Sequence, residues 1–348
     1  MNNGWYTDGS ELMENLTFMY NLLAEMYSPP DILLQEGVMA ENYGFDAISV
    51  SDHFQPFLHT NAKCGFAWVL LAVAAEKTSK VKIGPMVTAP ILRYHPGVVA
   101  QAFATLEQLY PQRVFLGVGA GEALNEVPLG YDWPTPAERV ERLEEAVQII
   151  RSLWEKNFVT FKGKYYKLNK ANLYTKPKNK IHIYIASAGP RTAKMAGKWG
   201  DGIIVSSTIL KKREKRGNEI LRSFAEGAKS EGKDPKKMAK IVGMTTSYDE
   251  DKQKAIKGMR YWASTMLRFV FKYSISDPRE IESYAKLIGD EQIASNRFVF
   301  TTSDEYIDII NKFKKQGFNQ VNIEDSSPDH KKFIKMFGKE VIPYFRER

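Results

Sequence analysis

The sequence predicts a (β/α)8 barrel, the TIM-barrel architecture, formed by a single domain over residues 1–348. Residues 44–52, 200–207 and 317–325 repeat one pattern: a glycine, a short apolar run with β-branched residues, and a polar end. Glycine is typical of a helix C-cap because it adopts positive φ readily, and the apolar run is typical of a buried parallel strand. The pattern therefore places polar residues at the carboxyl ends of these strands.

Further apolar runs of strand length alternate with helical stretches along the chain. Pro30 and Asp31 begin the first helix, whose apolar positions keep a helical period through Tyr43, and later helical stretches span residues 98–109 and 137–153. Eight strands that alternate with helices favour a barrel over a doubly wound open sheet, which remains the alternative. In chain order, the predicted strands lie at residues 16–20, 44–52, 81–83, 114–118, 181–186, 200–207, 241–244 and 317–325.

Two connections are longer than one strand–helix unit requires. Residues 131–180 and 248–318 are each expected to carry an insertion. In a barrel, insertions at the C-terminal face shape the substrate pocket, because active sites of barrel enzymes lie at that face.

The composition is that of an ordered protein of enzyme size, with 43% hydrophobic and 26% charged residues. A single cysteine, Cys64, excludes an internal disulfide and a cysteine-based metal cluster, which fits a reducing cytosol. The sequence shows no secretory leader pattern and no window of 18 uncharged apolar residues. We therefore expect a cytoplasmic protein that has no membrane contact.

The net charge of +8 is unevenly distributed, since residues 1–120 hold 6 Lys and Arg against 11 Asp and Glu. The basic residues are scattered through amphipathic stretches without interleaved aromatic residues, so we expect no nucleic-acid partner. The densest basic run, residues 211–216, is typical of a solvated helix face. The basic C-terminal part could also attract an anionic cofactor or substrate.

Asp52 and His53 directly follow a predicted strand, so a barrel places both at its active face. Histidine is the side chain best suited to proton transfer near neutral pH. The alternative is a structural role in which His53 satisfies a hydrogen bond at the strand end. The other histidines show no metal-ligand spacing, and we therefore predict no catalytic metal.

Alternate glycines at residues 117, 119 and 121 also follow a predicted strand. They allow the backbone to approach a flat or phosphorylated ligand closely, although the Rossmann spacing is missing. Glu122 and Asn125 lie one helical turn apart and could both face that ligand, or Glu122 could simply cap a helix. Residues 186–190 form a second small-residue turn before a helix, which is either a phosphate seat or a tight connection.

Four motifs in this chain are recognisable together: SDHFQP at 51–56, RYHP at 93–96, VAQAFAT at 99–105 and GAGEALNE at 119–126. They closely resemble the F420-dependent glucose-6-phosphate dehydrogenases and F420-dependent secondary-alcohol dehydrogenases of the luciferase-like barrel superfamily. The resemblance extends from about residue 18 to the C-terminus. It implies a homodimeric barrel that holds the 5-deazaflavin coenzyme F420 at its C-terminal mouth, where a hydride is exchanged at C5.

The resemblance also implies roles for individual residues. His53 would be the general base that takes the alcohol proton, and Glu122 would protonate the deazaflavin or stabilise charge on it. Glu25 matches a further active-site acid, and Phe57 stands where the family commonly has tryptophan. The resemblance further implies a non-prolyl cis peptide bond between Met86 and Val87, behind the coenzyme. The implied coenzyme-binding residues are Asp52, Met86, Val87, Thr88, Gly119, Gly121, Asn125, Ala186, Ser187, Ala188 and Gly189.

The substrate positions depart from the sugar-phosphate enzymes of the family. Those enzymes place a threonine, two lysines and an arginine around the phosphate, where this chain has Ser206, Ile209, Lys272 and Asn296. The loss of cationic partners weakens binding of a dianion, although the neighbouring Arg297 could replace one of them. We therefore expect hydride transfer between F420 and a secondary alcohol or ketone. The first alternative function is an F420-dependent dehydrogenase of glucose 6-phosphate. The others are an FMN-dependent luciferase-like monooxygenase and a barrel that binds the coenzyme without turnover.

Overall fold

The computed structural model describes residues 16–212 and 214–346. The strands are β1 (Thr17–Leu22), β2 (Ala47–Val50), β3 (Lys82–Pro85), β4 (Phe115–Val118), β5 (Val159–Lys162), β6 (Lys167–Ala171), β7 (His182–Ala186), β8 (Gly202–Ser206), β9 (Ala239–Tyr248), β10 (Phe298–Phe300) and β11 (Gln320–Asp325). The helices are α1 (Pro30–Asn42), α2 (Ala67–Lys77), α3 (Pro96–Leu109), α4 (Ala123–Glu126), α5 (Pro136–Glu155), α6 (Pro190–Trp199), α7 (Ser207–Lys212), α8 (Glu214–Ser230), α9 (Lys252–Met259), α10 (Arg268–Lys272), α11 (Pro278–Ala285), α12 (Asp290–Asn296), α13 (Ser303–Lys315), α14 (His330–Met336) and α15 (Ile342–Arg346).

Eight parallel strands form a nearly closed barrel in the order β1, β2, β3, β4, β7, β8, β9 and β11. β11 pairs with β1, and β3 meets β4 through two isolated parallel bridges, Ile83 to Val114 and Thr88 to Val118. Gly117 allows this close approach, because a Cβ atom there would lie 2.2 Å from the carbonyl oxygen of Pro85. The prediction of a (β/α)8 barrel is confirmed, and each of the eight predicted strands has its counterpart.

Side chains alternate between the two faces of the barrel wall, as the two-residue period of a strand requires. The barrel interior below the strand ends is filled by buried apolar side chains from five of the strands: Met19, Ala47, Phe115, Tyr184 and Ile241. The outward residues of the same strands pack against the helices in a larger core, where each buried aliphatic side chain contributes about 1.5–3 kcal/mol. The interior of the barrel is therefore closed by these side chains, and the polar carboxyl ends of the strands lie on the C-terminal side of them.

Both long connections carry the expected additional structure. Residues 131–180 contain an antiparallel hairpin of β5 and β6, which follows α5 and precedes β7. Residues 248–318 contain the short helices α9, α10, α11 and α12, followed by β10, which adds in parallel to β9, and by α13. The second insertion follows the carboxyl end of β9, so it lies at the active face of the barrel.

Several other sequence expectations concern charge and solvent. The basic run 211–216 spans the end of α7 and the start of α8, and its residue 213 lies outside the described residues, as do residues 1–15 and 347–348. No helix in the described ranges is long and apolar enough to cross a membrane. Within the same ranges, no group of three or more His, Cys, Asp or Glu side chains is arranged to hold a metal ion.

Candidate active site

A cavity of about 580 Å³ opens at the carboxyl ends of the barrel strands. The segments that follow β2, β3, β4 and β7 contribute to its lining, and β8, β9 and β11 complete it. This volume is in the range of pockets that bury a cofactor-sized ligand. Its position at the C-terminal mouth is the place where barrel enzymes hold their reacting groups.

His53 lines this cavity three residues after the end of β2. Its Nδ1 atom lies 3.3 Å from the carbonyl oxygen of Gln55 and 3.4 Å from Nδ2 of Asn125. The imidazole ring also packs against Phe57, with 5.3 Å between the ring centroids. Both polar contacts use Nδ1, so Nε2 is the nitrogen left to exchange a proton with a ligand in the cavity.

Asp52 is held by a buried polar network directly beside His53. Its carboxylate accepts hydrogen bonds from Thr88 Oγ1 and, at 3.1 Å, from the hydroxyl of Tyr94, and it forms an ion pair of 3.2 Å with Arg93. Arg93 also pairs with Glu126 at 2.6 Å. Burial opposes the charge of Arg93, but the carboxylates of Asp52 and Glu126 outweigh burial and raise the pKa of Arg93. This buried network holds Asp52, Arg93 and Glu126 together in the cavity wall.

The segment that follows β4 forms a flat wall built from small residues. A Cβ atom on Gly119 would lie 2.6 Å from Cγ2 of Val87, so the glycine allows the two segments to touch. The Met86–Val87 peptide bond is cis, and both residues line the cavity. Gly121 has a φ of +73°, a conformation that favours glycine, and directs the chain into Glu122.

Glu122 presents a buried carboxyl to the cavity. It stands at the N-cap position of α4, yet its side chain makes no capping hydrogen bond, and its Oε2 atom has no hydrogen-bond partner. Burial raises the pKa of Glu122, and Glu25 adds to this, while the positive charges of His53, Arg93 and Arg139 act in the opposite direction. A carboxyl with these surroundings is suited to exchange a proton with a ligand.

Glu25 and Asn125 support the cavity in different ways. Glu25 is fully buried and is absent from the lining; its Oε2 atom accepts a hydrogen bond from Ser51, and its Oε1 atom has no partner. Asn125 lines the cavity, and its Oδ1 atom accepts hydrogen bonds from the backbone N–H groups of Phe54, at 2.8 Å, and Gln55. Asn125 therefore connects α4 to the chain that carries His53.

The turn between β7 and α6 provides a third part of the lining, through Ala186, Ser187 and Ala188. Gly189 is the N-cap residue of α6, and it lies beyond the lining. Arg216 on α8 donates a hydrogen bond of 2.8 Å to the carbonyl oxygen of Ala188. Unpaired N–H groups at a helix start together with a nearby guanidinium favour an anionic group at this turn.

The residues predicted to bind substrate are separated by the structure. Ser206 lines the cavity, whereas Lys272, Asn296 and Arg297 are absent from the lining. Lys272 is exposed, and Asn296 donates a hydrogen bond of 2.9 Å back to the carbonyl oxygen of Gln292. Arg297 is buried and donates to the carbonyl oxygen of Trp262 at 3.1 Å and to Thr265.

A smaller cavity of about 90 Å³ adjoins the first one and shares Gly121, Glu122 and Arg139 with it. Phe57 and Phe271 are among its apolar lining residues. Phe271 belongs to α10 in the second insertion, so this insertion helps to cover the mouth of the barrel. Apolar walls beside His53 exclude water from the place where a proton would move.

Several cavity-lining residues were not predicted from the sequence, and the polar ones that bear on the chemistry include Arg93, Arg139 and Glu324. Arg93 lies within one of the recognisable motifs, and Glu324 occupies the polar end of a repeated strand pattern, so signals existed for both. Arg139 reaches the cavity from the interior of α5, a position that carries no local signal.

Known proteins of one family match nearly the whole chain. The luciferase-like monooxygenase family matches residues 14–320. The F420-dependent glucose-6-phosphate dehydrogenase of Mycolicibacterium gilvum (strain PYR-GCK) is 38% identical over 337 residues, which cover 96% of this chain and 99% of that protein.

Solved structures give the same result. An F420-dependent secondary alcohol dehydrogenase in complex with an F420-acetone adduct superposes with a TM-score of 0.88 and 40% identity, covering 95% of this chain and 99% of that chain. The coenzyme F420-dependent tetrahydromethanopterin reductase of Methanopyrus kandleri superposes with a TM-score of 0.77 and 24% identity, covering 95% and 99% of the two chains. The second likeness concerns the fold alone.

Proposed function

The chain belongs to the luciferase-like monooxygenase family, and within that family we propose that it is an F420-dependent dehydrogenase acting on the CH–OH group of a secondary alcohol, or on the corresponding ketone. The observation that carries this proposal is one cavity of about 580 Å³ that brings together His53, Glu122 and the flat wall at Gly119. The relatives named above are F420-dependent dehydrogenases, which supports the choice of coenzyme.

The cavity fits a flat, tricyclic coenzyme with an anionic tail. Gly119 and Val87 approach so closely that no side chain could stand between them, so a coenzyme ring could lie directly against this part of the wall. Glu122 offers an unpartnered carboxyl oxygen of the kind that a ring nitrogen would meet. The turn at Ala188 and the adjacent start of α6 suit a phosphate group in the tail.

The bound coenzyme supplies a carbon, C5, that accepts or releases a hydride. The protein supplies proton transfer and exclusion of water. In alcohol oxidation, Nε2 of His53 takes the hydroxyl proton, and the alcohol carbon loses its hydrogen with the bonding electron pair and becomes a carbonyl carbon. Phe57 packs against the imidazole and limits the orientations of the ring.

Glu122 completes the proton balance on the coenzyme side. The protonated carboxyl of Glu122 would donate a proton or a hydrogen bond to the negative charge that hydride transfer would bring to the bound coenzyme. Burial raises the pKa of Glu122, which keeps the protonated form available at higher pH than for an exposed glutamate. Asp52 is tied to Thr88, Tyr94 and Arg93, so its role is to support the coenzyme rather than to transfer protons.

The arrangement of cations favours an uncharged alcohol over a sugar phosphate. Ile209 lines the cavity at a position where the sugar-phosphate enzymes carry a lysine. Lys272 and Arg297 lie outside the lining, and the guanidinium of Arg297 is engaged by Trp262 and Thr265. At the positions that hold the phosphate in the sugar-phosphate enzymes, a dianion would therefore find no cation in the lining.

Glucose 6-phosphate remains the second candidate substrate. The relative from Mycolicibacterium gilvum is a glucose-6-phosphate dehydrogenase, and it covers nearly the whole chain. The proposal further includes one domain over residues 1–348, a homodimer, a cytoplasmic location and no nucleic-acid partner.

Two measurements test this proposal. The purified protein is titrated with F420 and with FMN, and we expect quenching of F420 fluorescence and no tight binding of FMN. Tight FMN binding without F420 binding would refute the coenzyme assignment. A steady-state screen then compares 2-propanol with glucose 6-phosphate, and efficient turnover of glucose 6-phosphate would refute the substrate assignment.

A further inference from the structure

Glu324 is an acidic residue in the cavity that the proposed chemistry does not use. It lies near the carboxyl end of β11, and its side chain lines the cavity together with Gly243 of β9 and Ser206 of β8. None of the hydride or proton transfers described above requires a carboxyl at this place. Its position among residues that would contact the substrate calls for a separate explanation.

The two oxygens of Glu324 have different surroundings. Oε2 accepts a hydrogen bond of 2.5 Å from Oγ1 of Thr245, the residue opposite Glu324 in the pairing of β11 with β9. Oε1 accepts no hydrogen bond from the described residues, and it is 3.2 Å from the position that a Cβ atom on Gly243 would occupy. Thr245 therefore fixes the carboxyl, and the absence of a side chain at Gly243 leaves Oε1 open to a ligand.

The carboxyl of Glu324 offers an acceptor or, when protonated, a donor to a neutral polar group. Burial raises the pKa of Glu324, and the neighbouring Glu25 raises it further, while the hydrogen bond from Thr245 and the charges of Arg297 and His53 lower it. Of the two arginines in the same lining, Arg93 is paired with carboxylates, and the guanidinium of Arg139 lies 4.4 Å from the ring centroid of Trp133. A carboxyl in these surroundings can bond to a hydroxyl group in either protonation state.

We propose that Oε1 of Glu324 binds a second hydroxyl group of the substrate, so that the enzyme acts on diols and polyols with a secondary alcohol rather than on simple alcohols or phosphate esters. This inference rests on the proposed function and specifies its substrate class. A simple alcohol that displaces water from the cavity leaves Oε1 unpaired, whereas a diol replaces the lost water with a hydrogen bond. Sites of this kind discriminate strongly against analogues that lack the bonding group.

The reaction remains balanced for such a substrate. The carbon that bears the secondary alcohol loses its hydrogen with two electrons to F420, and the hydroxyl proton passes to His53. The product is a hydroxyketone in which the second hydroxyl is unchanged. Glu324 forms and breaks no covalent bond, so it determines specificity only.

The test uses the F420-loaded enzyme and matched alcohols that differ by one hydroxyl group: 2-propanol with propane-1,2-diol, and 2-butanol with butane-1,3-diol. We expect kcat/KM for at least one diol to exceed that of its partner by about tenfold or more. Glu324→Leu should remove this preference, so that kcat/KM falls about tenfold more for the diol than for the simple alcohol. Glu324→Gln, which keeps the shape of the side chain, should retain part of the preference and guards against misfolding of the leucine variant.

A second readout does not depend on turnover. Calorimetric titration of propane-1,2-diol into the enzyme with reduced F420 should give an affinity that falls by about tenfold in Glu324→Leu and is unchanged in Glu155→Leu, an exposed control at the end of α5. The inference would be overturned if the wild type turned over 2-propanol and showed no preference for the diol. It would also be overturned if Glu324→Leu lowered kcat/KM equally for the diol and the simple alcohol, and in both cases the proposed function would stand. Failure to bind F420 would instead overturn the proposed function, and this inference with it.

Discussion

The side-chain amide of Asn125 lies 3.4 Å from Nδ1 of His53 and is oriented by the backbone beside that histidine. Its Oδ1 atom accepts hydrogen bonds from the N–H groups of Phe54 and Gln55, so Nδ2 is the part of the amide that faces the imidazole. The carbonyl oxygen of Gln55 can accept a hydrogen bond only if Nδ1 carries a proton. The Nδ2 amide group of Asn125 can donate to Nδ1 only if Nδ1 carries none, so the two contacts compete. Asn125 thus bears on which ring nitrogen of His53 carries the proton.

Asn125→Asp should shift the acidic limb of the pH profile of kcat/KM for alcohol oxidation to higher pH. The aspartate can accept the same two backbone hydrogen bonds, but it places a negative charge beside Nδ1 and stabilises the protonated imidazole. The base is then available only at higher pH. Asn61→Asp, which adds the same charge in an exposed loop, should leave the limb in place. An unshifted limb in Asn125→Asp would contradict the influence of Asn125 on His53.

His53→Ala should lower kcat for alcohol oxidation by at least about a hundredfold, because the alcohol proton loses its acceptor. Affinity for F420, measured by fluorescence quenching, should stay within a few-fold of the wild type. His59→Ala removes an exposed histidine six residues away and should change neither quantity. Unchanged turnover in His53→Ala would remove His53 from the mechanism.

Glu122→Gln should abolish the alkaline limb of the pH profile for alcohol oxidation and lower kcat by at least about tenfold. The wild-type enzyme needs the protonated carboxyl on the coenzyme side, and activity falls as pH rises through the pKa of Glu122, which burial holds above its ordinary value. The glutamine amide does not titrate, so the variant has no group at this position whose deprotonation would produce the alkaline limb. An alkaline limb that persists unchanged would assign it to another group.

Most of the barrel could be predicted from the sequence, because buried parallel strands leave a strong local signal. β8 and β11 combine apolar, β-branched residues with a preceding glycine, and both were placed correctly. The hairpin of β5 and β6 gave no such signal, since about half of its residues are exposed and polar. The pairing of β10 with β9 depends on tertiary contacts that three residues cannot specify.

The site was predictable where chemistry coincides with a strand end. Asp52, His53 and Glu122 follow strands directly and all line the cavity. Arg139 reaches the cavity from the middle of a long helix, and the sequestration of Arg297 against Trp262 depends on how the second insertion folds. Sequence position alone does not encode these relationships.

Gly119→Ala should weaken F420 binding by about tenfold or more while leaving the melting temperature within a few degrees of the wild type. The added Cβ atom would lie 2.6 Å from Cγ2 of Val87, so Val87 must move away or the coenzyme must sit further from the wall. Gly289→Ala is the matched control, because no atom lies within 4 Å of its added Cβ. Equal coenzyme affinity in Gly119→Ala and the wild type would show that the ring does not rest on this wall.

A second titrating cluster lies outside the cavity and concerns stability. His330, the first residue of α14, forms an ion pair of 3.1 Å with Glu36 of α1, and Asp325 of β11 lies nearby. Burial lowers the pKa of His330, but the negative charges of Asp325 and Glu36 outweigh burial and raise it to about 9. The protonated histidine therefore connects two helices to the last barrel strand.

The stabilisation by His330 should be lost as pH rises. Its folded-state pKa of about 9 lies above the unfolded value of about 6.5, so the contribution is complete below about pH 6.5 and disappears through about pH 9. Denaturation of the wild type and His330→Gln, followed by circular dichroism, should show a difference in unfolding free energy of up to about 3 kcal/mol at pH 6.5. This difference should shrink towards pH 9.5, whereas His59→Gln, an exposed control, should show no such trend. A difference that stays constant over this range would mean that His330 stabilises the fold through packing rather than through its charge.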